Sequence, residues 1–301
     1  MSIAVIDLGT NTFHLIIAVQ NGSELEVIHK SNEPVKLGEN ITKENRIIPT
    51  AFARGIACLK AFRAEIDKHE VKLIKATATS GVRSAKNGAD FVQAAKTEAN
   101  IEIDIIDGDE EAQYIYEGVK WSGAITGKSL IMDIGGGSTE FILCDGEHLI
   151  WKKSYDIGAA RLMQTFFKSD PISKTDQQAI IDHLNHQLKA MLVVCKAYKP
   201  QSLIGSAGAF ETFAAMIAPE LDLKTTQTAN ISLAAYHALA KRLISATHAE
   251  RANMEGLIPL RVDMIVMACM LTNFIMEALD LKTIKLSTYD LKMGVLASLK
   301  D

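Results

Sequence analysis

The residues best suited to chemistry stand in two short loops, each following an apolar run that ends in aspartate. One reads DLGTNTF from Asp7, the other DIGGGSTEF from Asp133. A glycine inside a regular element costs about 0.5–1 kcal/mol of backbone entropy relative to alanine, so Gly135, Gly136 and Gly137 in a row need a reason. One reason is a β-hairpin turn that demands positive φ. The other is a nest in which successive amides point at one anion. Gly9 and the triple glycine let the backbone approach such an anion closely; Thr10, Thr12, Ser138 and Thr139 add hydroxyl donors, with Asn11 between the first two. Asp7 and Asp133 at the strand ends, with Glu140 fencing the second loop, are placed for a hard cation, because Mg²⁺ takes carboxylate and phosphate oxygens together. A single loop is ambiguous; two at corresponding places favour phosphate.

The elements around them repeat one plan. IAVID and FHLIIAV read as strands, Asn21-Gly22 as a hairpin turn, and ELEVIHK as an alternating third strand. In the second half LIMD, EFILC, the Asp145-Gly146 turn and HLIWKKS follow the same order. Asp7 then aligns with Asp133 and Phe13 with Phe141, which suggests internal duplication. Helix and strand alternate behind each ribbon. Phe52, Ile56, Leu59, Phe62 and Ile66 mark an amphipathic helix, and a further helix is expected from Thr175 to Tyr198. The fold class is α/β: two domains, each opening with a βββ unit, facing across a cleft. Domain I covers 1–121, with a C-terminal helix in 288–301 packing back on it, and domain II covers 122–287.

Composition narrows the function. The 301 residues are 48% hydrophobic with a net charge of -4, so the chain lacks the global basic field of a nucleic-acid binder. Cys58, Cys144, Cys195 and Cys269 show no CxxC spacing and read as core thiols in a reducing, cytoplasmic setting. The start carries no signal-peptide pattern, and the apolar run from Met264 is too short for a bilayer; no membrane partner is expected. Walker and GxGxxG phosphate motifs are missing. Glu110 and Glu111 suit an acidic first helical turn as well as catalysis. His183 and His186, three apart, fit a solvated face better than a metal site. His14 reads as a packing or hydrogen-bonding residue. Lys152, Lys153, Arg161, Lys196 and Lys199 fit either a basic track for a polyanion or a solvated face.

Five blocks carry a resemblance: DLGTNTFHLIIA from Asp7, ATSGVRSAKNG from Ala78, IEIDIIDGDEEA from Ile101, LIMDIGGGSTEF from Leu130 and LSTYDLKMGVL from Leu286. The loop pair resembles the actin-like ATPase superfamily. The full set resembles the exopolyphosphatase/guanosine pentaphosphatase family within it. That resemblance implies an actin-like, ribonuclease H-like fold, phosphate substrates and Mg²⁺. It implies Glu111 as catalytic base, Asp7, Asp133 and Glu140 as metal-and-water carboxylates, and Arg83 as a phosphate contact suited to bidentate bonding. GSAGAF falls where the family has a glycine–serine–glycine loop, implying Gly205, Ser206 and Gly208 as a backbone cradle; Ala207 and Ala209 replace the usual threonines. Tyr289, Asp290 and Lys292 stand where a glycine- and arginine-bearing block is usual. Larger members continue into a further helical region, so a short two-domain form is implied.

The expected activity is Mg²⁺-dependent release of terminal phosphate from inorganic polyphosphate or guanosine pentaphosphate, in a monomer or homodimer. An actin-like kinase and a non-catalytic polyphosphate or alarmone sensor are the rival readings.

Overall fold

The β-branched runs that end in aspartate become the central strands of two sheets. The computed structural model describes residues 1–22, 24–206 and 208–300. The chain opens with β1 (Ser2–Leu8), β2 (Phe13–Asn21) and β3 (Glu24–Glu33), followed by α1 (Ile41–Glu44), α2 (Pro49–Lys68) and β4 (Leu73–Ala78). Next come α3 (Ser80–Arg83), α4 (Gly88–Ala99), β5 (Ile103–Ile105) and α5 (Gly108–Ser122). The second ribbon is β6 (Ser129–Ile134), β7 (Thr139–Cys144) and β8 (Leu149–Tyr155), then α6 (Ala159–Phe166), α7 (Lys174–Gln187) and α8 (Lys189–Tyr198). β9 (Ser202–Ser206), α9 (Gly208–Ile217), β10 (Thr228–Ile231) and α10 (Leu233–Ser245) follow. The chain closes with α11 (His248–Ala252), α12 (Ile265–Ala278), β11 (Ile284–Ser287) and α13 (Leu291–Ser298).

The first sheet has the order β3-β2-β1-β4-β5 and the second β10-β11-β9-β6-β7-β8. Read from its own ribbon, the second sheet repeats the first, with β10 added at the far edge. The duplication expected from the order of elements is therefore a duplication of topology. Its residue alignment differs from the sequence reading. Asp7 pairs with His14 across the first hairpin and Asp133 with Glu140 across the second. His14 is thus the counterpart of Glu140, and Leu15, not Phe13, that of Phe141. A slip of two residues keeps side chains on the same face, so alternation could not detect it.

Three apolar layers hold the sheets. Ala4, Ile6 and Leu15 face α2 and α4 in one, and Met132, Phe141 and Leu203 face the helices of the second half in another. The third lies between the sheets. Ile3, Val5 and Ile16 from one and Ile131, Ile142 and Ile204 from the other enclose residues of α5 and α13. The central strands are covered on both faces, which is why they read as continuous apolar runs. α13, the C-terminal helix, packs on α5 and on β1.

Local chemistry accounts for the helix ends. Pro49 starts α2, and the Asp107 side chain caps α5 by accepting from the amides of Asp109 and Glu110 at 2.9 and 2.8 Å. The helix expected over 175–198 is instead two, α7 and α8, meeting at Leu188. Leu188 is fully buried, and no glycine or proline announces the break. Among the described residues no helix is long and apolar enough to cross a membrane. All four cysteines are free thiols, three of them buried.

The crossing of α5 and α13 is set by glycine. A β-carbon on Gly294 would sit 1.7 Å from the Tyr114 carbonyl oxygen, and one on Gly118 would sit 2.2 Å from that of Asp290. Neither obstacle is a side chain that can swing aside. Gly294→Ala should lower unfolding stability by about 1–3 kcal/mol, as forced overpacking does. Urea denaturation measures it, and a variant as stable as the parent would show that the two helices separate freely.

Candidate active site

Both glycine loops lie at the carboxyl ends of the central strands β1 and β6, where open α/β sheets leave a crevice. They line one cavity of about 950 Å³, with Asp7, Glu111, Asp133 and Glu140 also in its wall. The loops touch: a β-carbon on Gly136 would come within 3.1 Å of Thr10 Cβ. One on Gly137 would come within 2.8 Å of Thr10 Oγ1 and 2.5 Å of Ser80 Oγ. The triple glycine is needed for contact with the sister loop, a constraint that no local pattern states.

Hydrogen bonding orients the amides. The carbonyls of Gly135 and Gly136 accept from the amides of Ala159 and Ala160 at 2.9 and 3.0 Å. That of Gly137 accepts from Gly158 at 3.2 Å and from Arg161 Nε at 3.0 Å. In a planar trans peptide the amide points opposite to the carbonyl. The N–H groups of Gly136, Gly137 and Ser138 therefore face away from α6, toward the cavity. In the first loop the carbonyls of Thr10 and Asn11 accept from Gly38 and Lys36, each at 2.8 Å, which turns the amides of Asn11 and Thr12 the other way. Asn11 Nδ2, a buried donor in this wall, has no partner among the described residues. Such a donor costs free energy until an acceptor arrives, and an oxyanion in the cavity would be one.

The acidic helix start resolves into two environments. Glu110 is exposed, while Glu111 is buried and accepts from Arg83 Nη1 at 2.9 Å. Arg83 Nη1 also donates to the Ile106 carbonyl, so that end of the guanidinium is held by two acceptors. Burial raises the Glu111 carboxyl well above its ordinary range; the charge of Glu140 adds to the rise and Arg83 opposes it. Burial likewise raises Asp133 and Glu140. Asp7 is pushed up to about 7, chiefly by burial, with Lys292 pulling the other way and Asp290 and Glu140 reinforcing.

These carboxylates suit a hard cation. The donor set is oxygen only, and a divalent charge would offset the repulsion that raises all of them. They do not converge as a ready-made cage, since among the described residues the one trio of ligating groups within 4.8 Å of one another includes none of them. An ion held by one or two carboxylates, with water and substrate oxygens completing the shell, matches Mg²⁺.

Other expected residues fall differently. Arg83 reaches the site through Glu111. Thr139 is fully buried and its hydroxyl bonds the Ile157 carbonyl, turned away from the cavity. Ser206 donates to Asp133 Oδ2 at 2.7 Å, orienting that carboxylate. Gly205 is required by packing, because a β-carbon there would fall 1.9 Å from the Phe210 ring. Gly208 lines the cavity with φ of 44°, against the Arg261 guanidinium, and Ala207 lies outside the described residues. His14 bonds Asn32 at 2.8 Å and is lowered to about 3 by burial, a neutral ring in the cavity wall. His183 packs on Phe166. None of the four lysines lines the cavity: Lys152 bonds Gln113, Lys153 lies over Tyr155, and Lys196 and Lys199 are exposed at the end of α8.

Sequence reasoning passed over Arg261, which is half-buried near Glu211, and left the ion pair of Lys292 with Asp290 unassigned. All of them line the cavity. Spacing gives no hint of Arg261, which enters from the loop before α12, far along the chain from either glycine loop.

Comparison with known proteins agrees with this geometry. The model of the Ppx/GppA phosphatase family matches residues 15–301. A protein of Haemophilus influenzae, provisionally named an exopolyphosphatase, is 30% identical over 99% of this chain and 91% of its own. The guanosine-5'-triphosphate,3'-diphosphate pyrophosphatase of Aeromonas hydrophila is 27% identical over 98% of this chain, which spans 59% of that relative's length. The crystal structure of an exopolyphosphatase from Cytophaga hutchinsonii superposes with a TM-score of 0.96 at 36% identity, covering 100% of this chain and 98% of that one.

The buried carboxylates give stability a pH dependence. Asp7 stands at about 7 in the folded chain against 3.8 when unperturbed. Between those values the folded state holds the proton more tightly, so its contribution is complete at low pH and is lost as pH rises through about 7. In a chelator, wild-type Tm should fall more steeply between about pH 4 and about pH 7 than that of Asp7→Asn. Parallel curves for the two proteins would contradict this.

Proposed function

This chain belongs to the Ppx/GppA phosphatase family, and from that premise we propose that it hydrolyses terminal phosphoanhydride bonds of inorganic polyphosphate or guanosine pentaphosphate, supported by Mg²⁺. The observation that carries the reading is the placement of Glu111. It is a buried carboxyl with a raised pKa, fixed by Arg83, in the wall of the cavity where the two glycine loops meet. Hydrolysis needs a water held in line with the leaving oxygen and a group to take its proton.

In this reading the amides of Gly136, Gly137 and Ser138, with those of Asn11 and Thr12, receive the terminal phosphoryl oxygens. Asn11 Nδ2 gains the acceptor it lacks. Mg²⁺, when bound, would offset phosphate charge from the side of Asp7, Asp133 and Glu140. Ser206 holds Asp133 and Ser154 holds Glu140, through bonds of 2.7 and 2.6 Å. Glu111 orients the water and accepts its proton. Arg83 keeps Glu111 ionised more readily than burial alone would allow. The relatives named for polyphosphate and for guanosine pentaphosphate differ in leaving group, and a turnover comparison of the two substrates on one preparation ranks them.

Glu111→Gln keeps the shape of the side chain and removes its basicity. Phosphate release from polyphosphate should fall by about 10²–10⁴-fold in kcat with KM little altered. Equal rates would remove Glu111 from this role. Arg83→Met should act through Glu111. Losing the opposing charge raises the carboxyl further, so the acidic limb of the kcat/KM profile should move to higher pH. A limb that stays in place or moves down would contradict the pairing.

A further inference from the structure

Among the described residues one trio of ligating groups stands apart from the carboxylates of the cleft: His29, which also borders the cavity at its β3 edge, with Glu65 and His69. Glu65 and His69 are one helical turn apart at the end of α2, so they share a face. His29 reaches them because of a β-bulge. Ile17 pairs with His29 but Ala18 pairs with Val27, leaving Ile28 as the extra residue. In a regular strand Val27 and His29 would share a face. The bulge puts Val27 with Ala18 toward the central core and His29 with Ile17 toward α2. Bulges of this kind re-aim single side chains.

The local geometry is that of an open, nitrogen-rich set. His69 Nε2 lies 3.2 Å and His29 Nδ1 lies 3.8 Å from Glu65 Oε1, and the imidazole rings are 5.6 Å apart. Lys68 holds Oε2 of the same carboxylate at 2.7 Å, which leaves Oε1 to the two rings. The ligating atoms all lie within 4.8 Å of one another. A tetrahedral zinc with bonds of about 2.0–2.1 Å places neighbouring ligands roughly 3.4 Å apart, within small side-chain adjustments of these values. Each of the three side chains keeps about a quarter of its surface exposed, so water can complete the shell. The C-terminus of α2, with its partial negative charge, adds to the attraction for a cation.

We propose that His29, Glu65 and His69 form a second metal site, for a borderline transition ion of the Zn²⁺ class, tying the edge strand β3 to the end of α2. Two imidazoles and one carboxylate select Zn²⁺, Co²⁺ or Ni²⁺ over Mg²⁺, which takes oxygen ligands. The oxygen-only set of the cleft selects the other way. The two are set apart in the sheet: β3 is two strands from β1, which carries Asp7, or about 10 Å at the usual strand spacing.

The test is isothermal titration of the chelator-stripped protein with Zn²⁺, with and without excess Mg²⁺, together with the visible spectrum after Co²⁺ substitution. The wild type should take up a single tight equivalent that Mg²⁺ does not displace, with a tetrahedral cobalt spectrum and a Tm raised by Zn²⁺. His69→Gln should weaken binding by about tenfold or more, and His29→Gln with His69→Gln should abolish both the spectrum and the Tm rise. His183→Gln with His186→Gln should leave them intact. Absence of zinc uptake by the wild type, unchanged uptake by the His29/His69 double variant, or loss in the His183/His186 variant would each overturn the assignment.

Discussion

The structure turns on keeping several carboxylates out of water with little opposing charge beside them. Asp7, Glu111, Asp133 and Glu140 share one cavity wall, and burial is the largest influence raising each of them. Such a cluster works against folding, since each group repels its neighbours and has given up its hydration. Its partners make it tolerable: Lys292 near Asp7, Arg83 on Glu111, Ser206 on Asp133, and Ser154 and Ser138 on Glu140. The rest of the molecule supplies the rigidity that holds the groups together in spite of their repulsion.

That rigidity comes from close backbone approach. Gly294 of α13 lies on the Tyr114 carbonyl of α5, and Gly136 and Gly137 lie on Thr10 and Ser80. Apolar residues of both sheets close around the helix pair. The helix that carries Glu111 is thereby clamped by the last helix of the chain, which begins beside the Asp290–Lys292 pair in the same cavity. Because the amides of α6 take up the carbonyls of the second loop, the loop's own amides face the ligand side. Orientation is built before any ligand arrives.

Duplication explains why there are two loops, and departure from it explains why they differ. Asp7 and Asp133 occupy equivalent register positions, but their cross-strand partners are His14 and Glu140. Burial keeps the imidazole neutral, while the carboxylate gains two hydroxyl partners, Ser154 and Ser138. The negative charge is therefore concentrated on the side of the second sheet, and the histidine side contributes a neutral wall bonded to Asn32.

Much was legible in the sequence because it is local. Alternation marked the strands of both ribbons, three- and four-residue spacing marked α2, and the two loops after aspartate marked the cavity wall. The duplicated α/β class and the family followed from motifs in order. Tertiary structure decided whatever depends on segments distant in the chain. It turned Glu111 inward to meet Arg83 and left Glu110 in solvent. It took Thr139 and Gly205 from ligand contact into packing, and brought Arg261 to the cavity. It also shifted the equivalence of the halves by two residues and, through one bulge, turned His29 toward α2. Periodicity states which face of an element is apolar; which distant side chain that face will meet is settled only when the sheets and helices pack.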